Sequence, residues 1–103
     1  MRTLKEWENL FVDAIHRKYG SSSQEKRFAY ISQELEDISI ALKVEKGELL
    51  AIDHKYKDPD ERIAGLLANV FVLANQRGTD LEKELQQALD WFQDPNTRAS
   101  SDD

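Results

Sequence analysis

Two carboxylates three residues apart, Glu34 and Asp37, are the side chains whose spacing first suggests chemistry. Within a helix, residues at this spacing project from the same face. Two like charges placed so close repel each other, and burying them is costly unless a cation lies between them. The same spacing is common on solvated helix faces. The pair therefore indicates either a cation site or an ordinary exposed surface.

A long apolar stretch is the element most suited to position such a site. From Ile63 to Ala74 every residue is apolar except Gly65 and Asn69. A helix that is apolar nearly all round cannot face water on a broad side, so we expect a central helix wrapped by others. At about 100° per residue, Arg62, Gly65, Asn69 and Gln76 fall on one narrow strip of this helix. Any polar chemistry in the core must meet that strip.

Apolar periodicity and breakers predict four helices in total. They extend from Thr3 to Tyr19, from Gln24 to about Val44, from Pro59 to Gly78, and from Thr79 to about Phe92. The second helix has a predicted apolar stripe of Phe28, Ile31, Leu35, Ile38 and Leu42. The fourth has a stripe of Leu81, Leu85, Ala88, Leu89 and Phe92. The first keeps its acids, among them Glu8, off its apolar stripe.

The predicted helix ends depend on capping residues. Asp58 is suited to the N-cap of the third helix, with Pro59 at its first position and Gly78 at its end. Predicted capping boxes, Ser22 with Glu25 and Thr79 with Glu82, begin the second and fourth helices. Glu48 to Tyr56 predicts a short turn or helix between the second and third. Residues 1–93 then make one helical domain, and residues 94–103 a disordered polar tail.

Composition narrows the class of protein and its partners. The 103 residues allow one domain, and two Pro, four Gly and a 33% charged fraction favour an all-α fold. There is no cysteine for a disulfide or a thiolate metal site. No apolar run approaches a membrane span, so we expect a soluble cytoplasmic protein. The net charge of −6 argues against duplex nucleic acid, but nucleotides remain open if a divalent cation joins carboxylates to phosphates.

From Leu4 to Phe92 the chain resembles the MazG-like, all-α nucleoside triphosphate pyrophosphohydrolases. Gln33 to Leu42 is similar to that family's second-helix motif, in which two acids three apart precede apolar positions. Glu61 to Glu82 is similar to its third helix and the Gly-x-Asp-Leu-Glu turn beyond. The resemblance implies a four-helix bundle completed by oligomerisation, as a homodimer or homotetramer. It also implies Mg²⁺- or Mn²⁺-dependent hydrolysis of a nucleoside triphosphate to the monophosphate and pyrophosphate.

The family's metal ligands are only half matched. The resemblance makes Glu34 and Asp37 metal ligands, but Arg62 and Gly65 stand where the third helix of the family has its two acids. Glu61 is a further candidate ligand, although one residue along a helix is a rotation of about 100°.

Two aromatic residues of the first helix, Trp7 and Phe11, are candidates to flank a nucleobase. Their place on an apolar stripe equally indicates packing in the core.

Two principal functions remain open, and with them the question of whether the protein is an enzyme. One is an active pyrophosphohydrolase that uses Glu34 and Asp37, with Glu61 or Asp60 recruited by a local shift. The other is a non-catalytic relative that has lost the metal and acts in binding or assembly. In the second, Arg62 pairs with the acids of the second helix and replaces the charge of the metal. Alternatively, Arg62 lies in the exposed first turn and pairs with nothing. A structural helical protein unrelated to nucleotides is a third reading.

Overall fold

The computed structural model describes residues 1–49 and 58–96, which form four α-helices and no strand. The helices are α1 (Leu4–Tyr19), α2 (Gln24–Glu45), α3 (Pro59–Arg77) and α4 (Leu81–Gln93). α3 packs most extensively against α2 and next against α1, whereas α4 packs mainly against α1. The predicted all-α, four-helix fold is confirmed, and α3 has the central place expected of it.

The two predicted ends of α3 are confirmed by local hydrogen bonds and backbone conformation. The Asp58 carboxylate accepts from the backbone N–H of Asp60, and Pro59 occupies the first helical position. Gly78 ends α3 in the left-handed region at φ 68°, which favours glycine. At the start of α1, the Thr3 side chain and Glu6 form a reciprocal capping box. The Thr3 backbone N–H that donates to the Glu6 carboxylate holds its pKa below the ordinary value.

The two predicted capping boxes at α2 and α4 are wrong by one residue. Ser23, not Ser22, accepts from the backbone N–H of Lys26 at the start of α2. Asp80, not Thr79, accepts from the backbone N–H of Lys83 at the start of α4. At α2 the physical reason is tertiary, because the Ser22 hydroxyl and carbonyl bind side chains of α2 and α3.

Among the described residues the hydrophobic core is small. The buried apolar side chains are Ile31, Ala41, Ala68, Phe71, Val72 and Ala74, and three of these are alanine. Most of them belong to α3. The expectation that α3 is covered on all sides is not met within the single chain, because Ile63 and Leu67 are about half exposed.

The other helices also leave large apolar side chains in solvent. The predicted stripe of α2 divides, since Ile31 is buried while Phe28, Leu35 and Leu42 are exposed. The exposed three recur every seventh residue, so they share one face. In α4 no residue is buried, and its leucines at 85 and 89 are about half exposed. A single copy of the chain therefore leaves apolar faces of α2 and α4 uncovered.

Two predictions fall wholly or largely outside the described part of the chain. The short turn or helix over Glu48–Tyr56 lies mostly in residues 50–57, and the polar tail 94–103 lies mostly in residues 97–103. Among the described helices, none combines the length and the apolar character needed to cross a membrane.

Candidate functional site

The polar strip of α3 lies against α2, where its first member forms an ion pair. Arg62 Nη1 is 3.7 Å from Asp37 Oδ2, and the two side chains are 20% and 17% exposed. The predicted pairing of Arg62 with an acid of the second helix is confirmed for Asp37. The alternative, an exposed Arg62 without a partner, is wrong.

Both oxygens of the Asp37 carboxylate are occupied by protein groups. Oδ2 faces Arg62, and Oδ1 accepts a hydrogen bond of 3.0 Å from Gln33 Nε2. The Nε of Arg62 is buried and has no hydrogen-bond partner among the described residues. An ion pair of this length, with one donor that makes no hydrogen bond, gives a weak attraction. It nevertheless places a fixed positive charge beside Asp37.

The other acid, Glu34, lies over the second member of the strip. A Cβ atom built at Gly65 would be 3.2 Å from Glu34 Oε2, closer than ordinary van der Waals contact. Glycine at position 65 thus leaves room for the Glu34 carboxylate against the backbone of α3. In this structure Glu34 is half-buried.

The remaining strip residues join a hydrogen-bonded chain around a buried arginine. Asn69 Oδ1 accepts from Arg27 Nη1 at 2.7 Å, and Asn69 Nδ2 donates to the Gly65 carbonyl at 3.0 Å. Arg27 Nη2 donates to Ser22 Oγ at 2.8 Å, and Gln76 Nε2 donates to the Ser22 carbonyl. The prediction that core polar chemistry meets this strip is confirmed.

Arg27 itself was missed by the sequence analysis. It is only 4% exposed, and its guanidinium carbon lies 5.1 Å from the centre of the Tyr30 ring. One sequence signal was available, since Arg27 precedes Glu34 by seven residues and so shares its helix face. Because arginine is mostly exposed in proteins, that spacing alone did not indicate burial.

A cavity of about 450 Å³ lies where α1, α2 and α3 meet. Glu34 and Arg27 of α2 line it, together with Gly65 and Asn69 of α3. The aromatic side chains at its wall are Tyr19 and Tyr30.

Trp7 and Phe11, the predicted base-flanking residues, do not line this cavity. Their rings stack on each other with centres 6.0 Å apart, and Phe11 stacks on Phe71 at the same distance. Phe11 is half-buried between α1 and α3, whereas Trp7 is 41% exposed and, among the described residues, stacks only on Phe11, so the core interpretation is met by Phe11 and not by Trp7.

The side chains proposed for a metal are not assembled into a cage. Glu61 is exposed, whereas Glu34 and Asp37 face α3, and Asp37 is held by Arg62. Within residues 1–49 and 58–96, no group of three or more His, Asp or Glu side chains is placed to hold a metal ion. Because Mg²⁺ favours several oxygen ligands and repels a neighbouring guanidinium, the arrangement does not fit a Mg²⁺ site. Metal binding by Glu34 and Asp37 stays a prediction that requires Arg62 to move.

A second buried polar side chain lies in the first half of α1, whereas the cavity beside Arg27 adjoins the end of that helix. Glu8, expected to lie off the apolar stripe, is only 1% exposed. Its Oε2 accepts from Lys5 Nζ and from Asn75 Nδ2, each at 3.3 Å. A cavity of about 420 Å³ adjoins it near the start of α4. The carboxylate thus accepts hydrogen bonds from side chains of α1 and α3. Its role is structural, because it links these two helices.

Compared with family models, curated proteins and solved structures, the chain has no match.

Proposed function

We propose that this protein is a non-catalytic, MazG-like homo-oligomer that acts in binding or assembly, in which an internal ion pair has replaced the metal site. The observation behind this proposal is the contact of Arg62 with Asp37. Arg62 occupies the position at which the resembled family has a metal-binding acid. A fixed guanidinium there supplies the positive charge that a metal would otherwise bring.

The charge balance of the site supports the loss of metal chemistry. A divalent ion between Glu34 and Asp37 would have to displace Arg62 and the hydrogen bond from Gln33. It would then lie close to the displaced cation in a partly buried place, where repulsion is weakly screened. With Gly65 in place of an acid, only two carboxylates remain to compensate that cost.

The exposed apolar faces support the homo-oligomeric part of the proposal. Ordering a chain of this length costs on the order of 100 kcal/mol of conformational entropy, which hydrophobic burial must offset. In residues 1–49 and 58–96, six buried apolar side chains, half of them alanine, are a small core for that task. Pairing the face of α2 that contains Phe28, Leu35 and Leu42 with a second copy would enlarge the core, as in obligate dimers.

The metal part is tested by thermal unfolding with and without millimolar Mn²⁺, run beside pyrophosphate release from a panel of nucleoside and deoxynucleoside triphosphates. We expect no shift of Tm and no turnover, because a ligand stabilises the folded state only when it binds there. A Mn²⁺-dependent rise in Tm together with turnover would refute the proposal and establish the pyrophosphohydrolase.

A gain-of-function variant makes the negative result informative. The double variant Arg62→Glu, Gly65→Asp returns acids to both positions, and we expect it to acquire a Mn²⁺-dependent rise in Tm. The control is Arg17→Glu on the exposed side of α1, which makes the same charge change as Arg62→Glu but away from the site. If the double variant folds but ignores Mn²⁺, the alignment of α3 with the family's third helix is wrong.

The assembly part is tested by light scattering on a sizing column. We expect the wild type to be a dimer or tetramer at micromolar concentration, and Leu35→Lys to shift it to smaller species. Ala29→Lys is the matched control, because it adds the same charge at an exposed position of α2 that lies about 120° around the helix from Leu35. A wild type that is a folded monomer, or two variants that behave alike, would contradict an interface on this face.

The active pyrophosphohydrolase is the second candidate, and the cavity beside Glu34 is the observation that favours it. About 450 Å³ lies within the range of small-molecule sites. The same melting and turnover measurements decide between the two functions.

A further inference from the structure

Arg27 is a buried cation without a matching anion in the described part of the chain. Its side chain is nearly inaccessible to solvent, yet no carboxylate there lies within ion-pair distance. The guanidinium has five N–H donors, of which Nη1 and Nη2 each donate to a neutral oxygen, on Asn69 and Ser22. The Nε donor is buried and has no partner.

This arrangement is unusual because burying a charge is costly unless it is paired. Two neutral hydrogen bonds and the face of Tyr30 compensate only part of the lost hydration. A bound anion would supply the missing negative charge and accept from those N–H groups of Nη1 and Nη2 that are not used by the described residues. The protein has a net charge of −6, so its overall charge repels anions. Binding of an anion would therefore depend on the local charge of Arg27.

The cavity beside Arg27 has room for such an anion and restricts its chemistry. Arg27 lines one part of it and Glu34 another, about 10 Å apart along α2 because seven residues separate them. Apolar and aromatic side chains, including Ile15, Tyr30 and Ala68, also line it. An occupant would therefore meet one positive group, one negative group and a set of apolar and aromatic side chains.

We propose that this cavity binds a small organic molecule with a planar apolar body and a single anionic group, a carboxylate or a phosphate, held by Arg27. A second anionic group would face Glu34 and be repelled, which excludes free polyphosphates. The inference rests on the binding role proposed above and names the class of ligand for it. It does not involve the pair Arg62–Asp37 or the apolar faces, so its failure would leave the metal and oligomer tests unaffected.

The proposal is tested by titrating the full chain with benzoate, phenyl phosphate, inorganic phosphate and terephthalate, followed by ¹⁵N NMR. For ligands of this size we expect dissociation constants of about 1 mM for benzoate or phenyl phosphate. Shifts should concentrate on the amides of Gln33 and Gly65 and on the side-chain amide of Asn69. Terephthalate, with its second carboxylate, should bind at least about tenfold more weakly, since 1.4 kcal/mol of repulsion gives that factor.

Three variants assign the binding to Arg27. Arg27→Met removes the charge at similar length and should abolish the shifts, whereas Arg27→Lys keeps the charge without the planar fork and should bind about tenfold more weakly. Lys26→Met is the matched control, since it removes the exposed charge next to it and should bind as the wild type does. If the Arg27 variants do not fold, the distribution of shifts in the wild type still decides.

Four outcomes would overturn the proposal. They are shifts spread over exposed lysines, no saturable binding of either monoanion, equal binding of terephthalate, and unchanged binding by a folded Arg27→Met variant. Binding of inorganic phosphate alone, without benzoate or phenyl phosphate, would mean an adventitious ion only.

Discussion

Replacing Gly65 tests whether the Glu34 carboxylate lies against the backbone of α3. Alanine in a helix interior is favoured over glycine by about 0.5–1 kcal/mol. The new Cβ would be 3.2 Å from Glu34 Oε2, so that oxygen must move by a few tenths of an ångström. Because the oxygen is the far end of a flexible side chain, the movement is cheap. We expect Gly65→Ala to stabilise the fold by up to about 0.5 kcal/mol.

Aspartate at the same position should behave differently because of its charge. A carboxylate about 5 Å from that of Glu34 is repelled by about 3 kcal/mol at an effective dielectric constant of 20. Arg62 and solvent will screen part of this repulsion. We therefore expect Gly65→Asp to be less stable than Gly65→Ala by about 1–2 kcal/mol at pH 7. The difference should shrink below about pH 4, where carboxylates take up protons.

Urea unfolding of both variants at pH 7 and at pH 3.5 measures these differences. Ala64→Asp is the matched control, because it adds the same charge one residue away on an exposed face of α3. A loss of more than about 1 kcal/mol in Gly65→Ala would show that the contact is rigid. Equal stability of Gly65→Asp and Gly65→Ala at pH 7 would refute the place assigned to Glu34.

Three further predictions concern the polar contacts. In a double-mutant cycle of Asp37→Asn and Arg62→Met, urea unfolding should give a coupling energy of about 0.5–1.5 kcal/mol, and additive effects would mean that the pair contributes nothing. Thr3→Ala removes one of the hydrogen bonds that lower the Glu6 pKa, so an NMR titration should show that pKa rising towards its ordinary value. The stabilisation associated with this lowered pKa is present above the unfolded-state pKa and is lost as pH falls through the folded-state pKa. Asn69→Ala removes one of the two oxygens that accept from the buried guanidinium of Arg27, and it should cost about 2–3 kcal/mol in urea unfolding. A loss below about 0.5 kcal/mol would show that water replaces the amide.

Features set by neighbouring residues were predictable from the sequence. The N-cap and C-cap of α3 were correct because Asp58, Pro59 and Gly78 act through their own backbone and side-chain geometry. The polar strip of α3 was correct because helical periodicity alone places its members on one face. The contact of Arg62 with Asp37 followed from that periodicity together with opposite charge.

Features set by tertiary contacts were not predictable in the same way. Ser22 is a good N-cap by type, but its hydroxyl and carbonyl are used by Arg27 and Gln76, so the cap moves to Ser23. The burial of Arg27 and Glu8 opposes the usual preference of charged residues for solvent. The predicted stripe of α2 divided because periodicity identifies an apolar face without saying which element covers it.

The isolated position of α4 has a consequence for how the chain loses and regains order. This helix of 13 residues has no buried side chain, and in water a helix of that length is only marginally stable by itself. Its amide protons should exchange with solvent through local openings of low free energy. The amide protons of α3 should exchange only through larger openings of higher free energy. If contact with another copy supplies the missing burial, the far-ultraviolet circular dichroism per residue will rise with protein concentration. The C-terminal helix would then be a built-in reporter of association, ordered only when the chain is not alone.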